Sequence, residues 1–519
     1  MDDDKDINGS SYVNTTDNSI KVDSETFVKR ILELLVLISF IILTVIVGKN
    51  HEPWADEAQA WLLARDASIK DLITVNMRYE GSPVLWHMLL KVFIKFGLTY
   101  EFLYIVPIIF TSIGVAIFEF KVKAPTFLKI VLPFTYYIFF QYTIVARSYC
   151  LVFPTLMYLA AVWKYKTEKP ILFAIGVAIL LSISTHCLLL ASCISLLYGI
   201  QVVFLTLKKI FKKGDIATSR IIKNWIMIVA LLTLFGATAY FLITPADHEE
   251  FRNSEESRYR SADTLLADAL VTNAKDPKIC MIISITIVCV LYMAYWRDKR
   301  FFELLLYFVP IYLFLAFFYC NKWHIGLLFE VITFCLIIHD KLSDMNWFAT
   351  LYMVCCCIQV FYSYNSGDYD YHNLYSASYQ VAEYLKNNEL EDKKIYALGY
   401  STTAILPYFD YNPFNNTKSG KTYCSWKKDD PDSMTIDEIK EDMPDVFVIS
   451  NFRDYNYIGM LNRLESNKIY EKYTFVGNTY IKDDIYETES FYIFVSQNLL
   501  KSENNETEYV YFNSKISTE

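Results

Sequence analysis

The chain has 519 residues, 48 basic and 57 acidic, with 54% hydrophobic and 17% aromatic. A soluble protein of this length divides its apolar residues among amphipathic patterns; here they come in long runs nearly free of charge, which excludes an ordinary soluble enzyme. The formal charge of −9 says little by itself, because acids and bases lie in different parts of the chain, and nothing in it points to nucleic acid.

Residues 1–27 are polar, rich in Asp, Asn and Ser, and read as a disordered cytoplasmic tail. Phe27–Gly48 is the first expected spanning helix, opened by Lys29 and Arg30. It is not a cleavable signal, since a long polar segment precedes it and no small-residue cleavage site follows. The first outer loop covers 49–82. Pro83–Phe96 is apolar but short, and carries His87, Lys91 and Lys95, so it is expected to lie along the interface. Further spans are expected at about 101–119, 126–145, 148–164, 170–185, 188–207, 224–244, 278–296, 302–319, 325–339 and 345–363.

Loop charge fixes the count. If 83–96 does not cross, the basic loops Lys121–Lys123, Lys164–Lys169, Lys208–Lys223, Arg297–Arg300 and His339–Lys341 all share the side of Lys29 and Arg30. The expectation is therefore a polytopic α-helical membrane domain, 28–363, with about eleven helices. Residues 49–82, 146–147, 186–187, 245–277, 320–324 and everything after 363 then lie outside. Residues 364–519 read as a separate extracytoplasmic α/β domain. Helices are expected at Ser376–Asn387, Thr435–Glu441 and Tyr457–Ser466, and strands at Lys394–Leu398, Asp445–Ser450 and Phe491–Val495, in an alternation that suggests Rossmann-like topology. There is no GxGxxG, so nucleotide binding is not implied, and no internal repeat.

Residues suited to chemistry cluster in the outer segments. Asp56 and Glu57 follow the first span within His51-Glu-Pro-Trp-Ala-Asp-Glu-Ala-Gln-Ala-Trp61. A carboxylate there suits a general base for an incoming hydroxyl; the alternative is a pair of helix N-terminal acids complementing the dipole. Arg147 lies between two spans and suits a bidentate phosphate grip, or a snorkelling interfacial Arg. His186 and His324 sit at two further junctions, with Lys322 as another phosphate candidate; single histidines at such places are more often structural. Glu330 is an acid inside an apolar run, about 9 Å of helix rise from His324. Arg258 and Arg260 lie in the loop 245–277, either closing over an anionic substrate or simply solvated. Eleven cysteines without metal-type spacing argue against a zinc site.

Pro53-Trp-Ala-Asp-Glu-Ala-Gln-Ala-Trp-Leu-Leu-Ala-Arg-Asp66 and Tyr79-Glu-Gly-Ser-Pro-Val-Leu-Trp86 resemble the first outer loop of bacterial GT-C glycosyltransferases, a superfamily that includes protein O-mannosyltransferases and aminoarabinose transferases. Ala146-Arg-Ser-Tyr149 is similar to the second outer loop, and His324-Ile-Gly-Leu-Leu-Phe329 to a later junction, so the likeness covers about 1–363. It implies that Asp56, with Glu57 beside it, is the catalytic base, and that Arg147 and Lys322 grip a lipid phosphate. Relatives often carry an acid where this chain has Ser148, and a basic or second Pro residue where it has Ser82-Pro83. A divalent metal is therefore left open as a cofactor. The expected reaction is inverting transfer of a sugar from a polyprenyl-phosphate donor to a glycan, lipid or protein acceptor, in a cell membrane of bacterial type. The alternative is a transporter or flippase of lipid-linked saccharides, which should show pseudo-repeats and Gly/Pro-interrupted helices; the chain has 15 Gly and 14 Pro.

Overall fold

The computed structural model describes residues 15–211, 216–248, 264–271, 276–428, 430–450, 470–482 and 484–502. Helix α1 (Thr15–Gly48) begins inside the segment expected to be a disordered tail and runs unbroken through the first apolar stretch. Then come α2 (Ala55–Asp66), α3 (Leu85–Lys95), α4 (Ile105–Lys121), α5 (Val152–Val162), α6 (Pro170–Leu181) and α7 (Thr185–Ile210). The helical part ends with α8 (Thr218–Phe241), α9 (Pro277–Ala294), α10 (Phe301–Phe317), α11 (Gly326–Ile338) and α12 (Trp347–His372).

Among the described residues six helices are long and apolar enough to cross a membrane: Thr26–Gly48 of α1, α4 extended back to Tyr100, and α7, α8, α9 and α12. The chain is thus a polytopic helical protein, but the count differs from the eleven crossings expected. Length is the reason. At 1.5 Å per residue, α6 with 12 residues and α11 with 13 reach only about 20 Å, against a hydrocarbon core of about 30 Å. The run expected as one span over 126–145 breaks into a helical turn at Thr126–Val131, a 3-10 turn at Leu132–Phe134 and a π turn at Tyr137–Gln141. Pro133, which has no N–H to donate, sits at the first break. Irregular backbone inside an apolar bundle is tolerated where protein surrounds it, and Tyr136–Ala146 are all buried. Two glycines permit the close packing. A Cβ at Gly114 of α4 would lie 2.8 Å from Phe153 and Pro154 of α5, and one at Gly326 only 2.3 Å from Tyr137.

Helix α12 continues to His372, past the point at 363 where a separate domain was expected to begin. Beyond it lie α13 (Ser378–Asn387), β1 (Ile395–Leu398), a 3-10 stretch at Tyr400–Tyr408, α14 (Ile436–Glu441) and β2 (Val446–Ser450). The remaining strands are β3 (Tyr470–Phe475), β4 (Asn478–Ile481), β5 (Asp484–Thr488) and β6 (Phe491–Ser496). The sheet order is β1-β2-β6-β3. Only β1 and β2 are parallel, with Ile395 opposite Val446; β6 runs antiparallel to both β2 and β3. The sheet is mixed, which corrects the Rossmann-like expectation. The helix expected at 457–466 lies outside the described residues. Alternation places Ile395, Val446, Val448 and Ile493 against Val381 and Leu385 of α13, and Tyr396, Phe447 and Phe494 against Ile439 of α14.

The β4–β5 hairpin pins this unit to the helices. Lys482 at its turn, with φ +61°, is buried and donates its ammonium to the Asp268 carbonyl at 2.5 Å. Ser366 of α12 donates to the Lys482 carbonyl at 3.0 Å, and Tyr369 stacks on Tyr480 at 4.1 Å.

Candidate active site

The first turn of α2 is the keystone. A helix N-terminus leaves backbone N–H groups without partners. Here the Trp54 N–H donates to Glu57 Oε2 at 3.1 Å, and the Ala55 N–H donates to Glu489 Oε1 at 3.0 Å, reaching across from the C-terminal unit. Burial pushes the Glu489 carboxyl up to about 8. Asp56, on the same turn, meets Arg147 and Tyr400 instead.

Glu57 does not face the same space as Asp56. Its Oε1 accepts the Ala146 N–H at 2.5 Å, and its Oε2 accepts His51 Nε2–H at 3.0 Å as well as the Trp54 N–H. His51 Nδ1 in turn lies 3.1 Å from Asp370 near the end of α12. Burial alone would lower the His51 pKa, but Asp370 and Glu57 outweigh it and raise it to about 10. The imidazolium therefore locks α1's exit, α2, the 146–147 segment and α12 together. Glu57, its side chain fully buried among these donors, is a positioning group, whereas the Asp56 side chain is 21% exposed and faces the other side of the turn.

Ala146 leads directly to Arg147, whose extended backbone (φ −125°, ψ 166°) precedes the 3-10 turn Ser148–Leu151. Its guanidinium lies 3.0 Å from Asp56 Oδ2 and sits in an aromatic box, 4.8 Å from the Trp323 ring and 5.9 Å from Trp54 and Tyr149. Tyr400, from the C-terminal unit, donates its hydroxyl to Asp56 Oδ1 at 3.0 Å.

Asp56 and Arg147 line a cavity of about 160 Å³ together with His186, His324, Glu80 and Tyr149. The two imidazole rings lie 4.5 Å apart. His324 Nδ1 accepts the Asn321 N–H at 2.9 Å, which leaves the ring proton on Nε2, and burial beside His186 and Arg147 holds its pKa well below the ordinary histidine value. His186 Nε2 is buried without a hydrogen-bond partner. Glu80 Oε1 accepts from Gln59 at 2.8 Å and from the Trp426 indole at 3.2 Å, while burial raises its carboxyl to about 7. The cavity thus joins one guanidinium able to fork onto an anion, one carboxylate able to take a proton, and neutral imidazoles able to donate or accept hydrogen bonds.

Of the residues expected from sequence, the structure brings Asp56, Arg147, His186 and His324 to one cavity and places Glu57 directly behind it. Lys322 does not line the cavity. Glu330 is buried within α11 and also does not line it; neither of its carboxylate oxygens meets a hydrogen-bond partner. Arg258 and Arg260 lie outside the described residues. Among the described residues no three His, Cys, Asp or Glu side chains converge as a metal site would require. Sequence reading gave no role to His51, Asp370, Glu80, Tyr400 or Glu489. His51 and Glu80 stand in the quoted first-loop segments and were findable as polar residues of that loop. Tyr400 and Glu489 are more than 340 positions from Asp56 and carry no local signal. In comparisons with protein-family models and with curated proteins, the chain matches none.

Proposed function

We propose that the protein is a GT-C-type membrane glycosyltransferase that takes a sugar from a polyprenyl-phosphate donor and transfers it, with inversion, to an acceptor hydroxyl or amine. The observation that carries this reading is that a carboxylate, Asp56, and a guanidinium, Arg147, meet at one cavity wall, the two charged groups that proton removal and a phosphate grip require. The lipid tail would lie among the helices, with the phosphate on Arg147 and the sugar toward Glu80 and the two histidines. Asp56 takes the acceptor proton, the acceptor attacks the anomeric carbon, and the phosphate departs with charge neutralised by the guanidinium. In the topology this implies, about eleven apolar segments cross or enter the bilayer, the shorter ones shielded by their neighbours. The 49–82 loop, the cavity and the C-terminal unit face outward, away from the basic loops.

The test is incubation of purified protein with a short-chain polyprenyl-phosphate sugar and cell-envelope acceptor extract. A transferase releases free polyprenyl phosphate in an acceptor-dependent way. A transporter of lipid-linked saccharides binds the donor and returns it intact, and that result would overturn the enzyme reading.

A further inference from the structure

A second cavity, about 420 Å³, lies on the other side of the α2 turn. Glu57 and Ala146 line it, whereas their sequence neighbours Asp56 and Arg147 line the smaller one. The wall between the two is one residue thick, closed by the 2.5 Å hydrogen bond from the Ala146 N–H to Glu57. The volume falls in the range of small-ligand sites.

Its lining is distinctive. Tyr100, Tyr408 and Tyr379 form a continuous edge-to-face series, with ring centroids 5.2 and 5.4 Å apart, and Tyr104 stands beside them. Glu52 and Glu101 add carboxylates, and Gln380 an amide. The Tyr100 hydroxyl and the Gln380 carbonyl oxygen are buried without hydrogen-bond partners, and Tyr100 is only 6% exposed. Aromatic faces suit the C–H faces of sugar rings, and carboxylate and amide groups suit their hydroxyls. The lining disfavours a phosphate: against Lys49, which is exposed, and His51, which is engaged by Glu57 and Asp370, stand the carboxylates of Glu52, Glu57 and Glu101.

We infer that this larger cavity is the acceptor site and that its occupant is a carbohydrate, held between the helical part and the C-terminal unit. The inference rests on the glycosyltransferase reading. Transfer then requires the Ala146–Glu57 hydrogen bond to open, so that one acceptor hydroxyl reaches Asp56. Its proton goes to the Asp56 carboxylate, its oxygen bonds to the anomeric carbon, and the bond from that carbon to the phosphate oxygen breaks with its electron pair leaving on the lipid phosphate. The C-terminal unit then has a defined task, since it supplies Tyr379, Gln380 and Tyr408.

The experiment places a photocrosslinking residue in the full-length protein in cells, as Tyr379→p-benzoylphenylalanine and Tyr104→p-benzoylphenylalanine. The exposed Tyr411, on the outer surface of the same unit, is the control position. Adducts are isolated after irradiation and probed by periodate oxidation and hydrazide labelling. Carbohydrate-bearing adducts at 379 and 104, and none at 411, are expected. Adducts without carbohydrate, or no adducts at either position, overturn the proposal. Binding of short-chain polyprenyl phosphate to wild type and to Arg147→Ala is measured alongside. If that binding depends on Arg147 while the photoadducts lack carbohydrate, the acceptor site is wrong and the transferase reading stands.

Discussion

Replacing Asp56 by asparagine should move two measurements in opposite directions. The Asp56 carboxylate lies 3.0 Å from the Arg147 guanidinium, and both side chains are 21% exposed. A lipid phosphate arriving on Arg147 meets that carboxylate as a like charge. At a separation of about 6 Å and an effective permittivity of about 20, the repulsion is roughly 2.8 kcal/mol. Solvent at these partly exposed groups reduces it to about 1–2 kcal/mol. Asp56→Asn keeps the side-chain shape and an oxygen for the Tyr400 hydroxyl but removes the charge. Polyprenyl phosphate should therefore bind roughly five- to thirtyfold tighter. Transfer should fall by about a hundredfold or more, because an amide takes no proton. Calorimetric titration with short-chain polyprenyl phosphate and a donor-cleavage assay read the two arms, with thermal unfolding as the folding control. Equal or weaker phosphate binding in a folded variant would refute the geometry. Near-normal turnover would remove Asp56 as the base and shift attention to Glu80, the other carboxylate of the cavity.

Arg147→Ala should weaken polyprenyl-phosphate binding by about ten- to a hundredfold, or about 1.5–3 kcal/mol, and Arg147→Lys should do so only partly, since Lys keeps charge without the planar fork; equal affinity for wild type and Arg147→Ala sinks the phosphate role. His51 has its pKa raised from 6.5 to about 10, so its stabilisation is complete below pH 6.5 and is lost as pH rises through about 10. His51→Gln should melt well below wild type at neutral pH, with the gap closing toward pH 10 in detergent-solubilised protein; a gap that does not narrow counts against a protonated His51. Glu80, raised from 4.5 to about 7, makes the folded state hold a proton that the unfolded chain releases, so wild-type stability falls as pH rises between those values. Glu80→Gln keeps the oxygen that accepts from Gln59 and Trp426, and should melt above wild type at pH 8 but beside it near pH 4.5. In a background without native cysteines, the exposed Ser419→Cys should react with an impermeant thiol reagent on intact cells; labelling only after lysis reverses the assigned orientation.

How much of this was legible beforehand depends on the range of the contacts. The apolar runs gave the helical architecture, and local chemistry gave β1, β2, β6, α13 and α14. Among the described residues only six helices reach spanning length, because hydropathy sums over residues that the backbone does not keep in one helix, as between Thr126 and Gln141. The β3, β4 and β5 strands were missed because Tyr470–Thr488 mixes charged and aromatic residues without clean alternation. At the site, four of the expected residues converge because each stands at a junction on one end of the bundle, and such junctions are visible in sequence. Which of the paired acids Asp56 and Glu57 faces the cavity was not visible. The choice is made by partners far away in the chain, Ala146 and Asp370, the latter acting through His51.

Those distant partners bear on what the C-terminal unit is for. It cannot be a detachable cap, because parts of the site are made from it. Glu489 accepts the buried N–H of Ala55, and Tyr400 holds one oxygen of Asp56. The Cys424 backbone exchanges two hydrogen bonds with Gln59, at 2.9 Å each, and Gln59 holds Glu80. Removing the unit would take away the hydrogen-bond partner of the Ala55 N–H in the first turn of α2. It would also open the Tyr379–Tyr408 wall of the larger cavity to solvent. An Asp56 so released would keep its sequence motif intact and lose its aim. The motif alone therefore underdetermines the site: the first loop carries Asp56, and Tyr400 and Glu489, more than 340 residues later, fix how its turn is held.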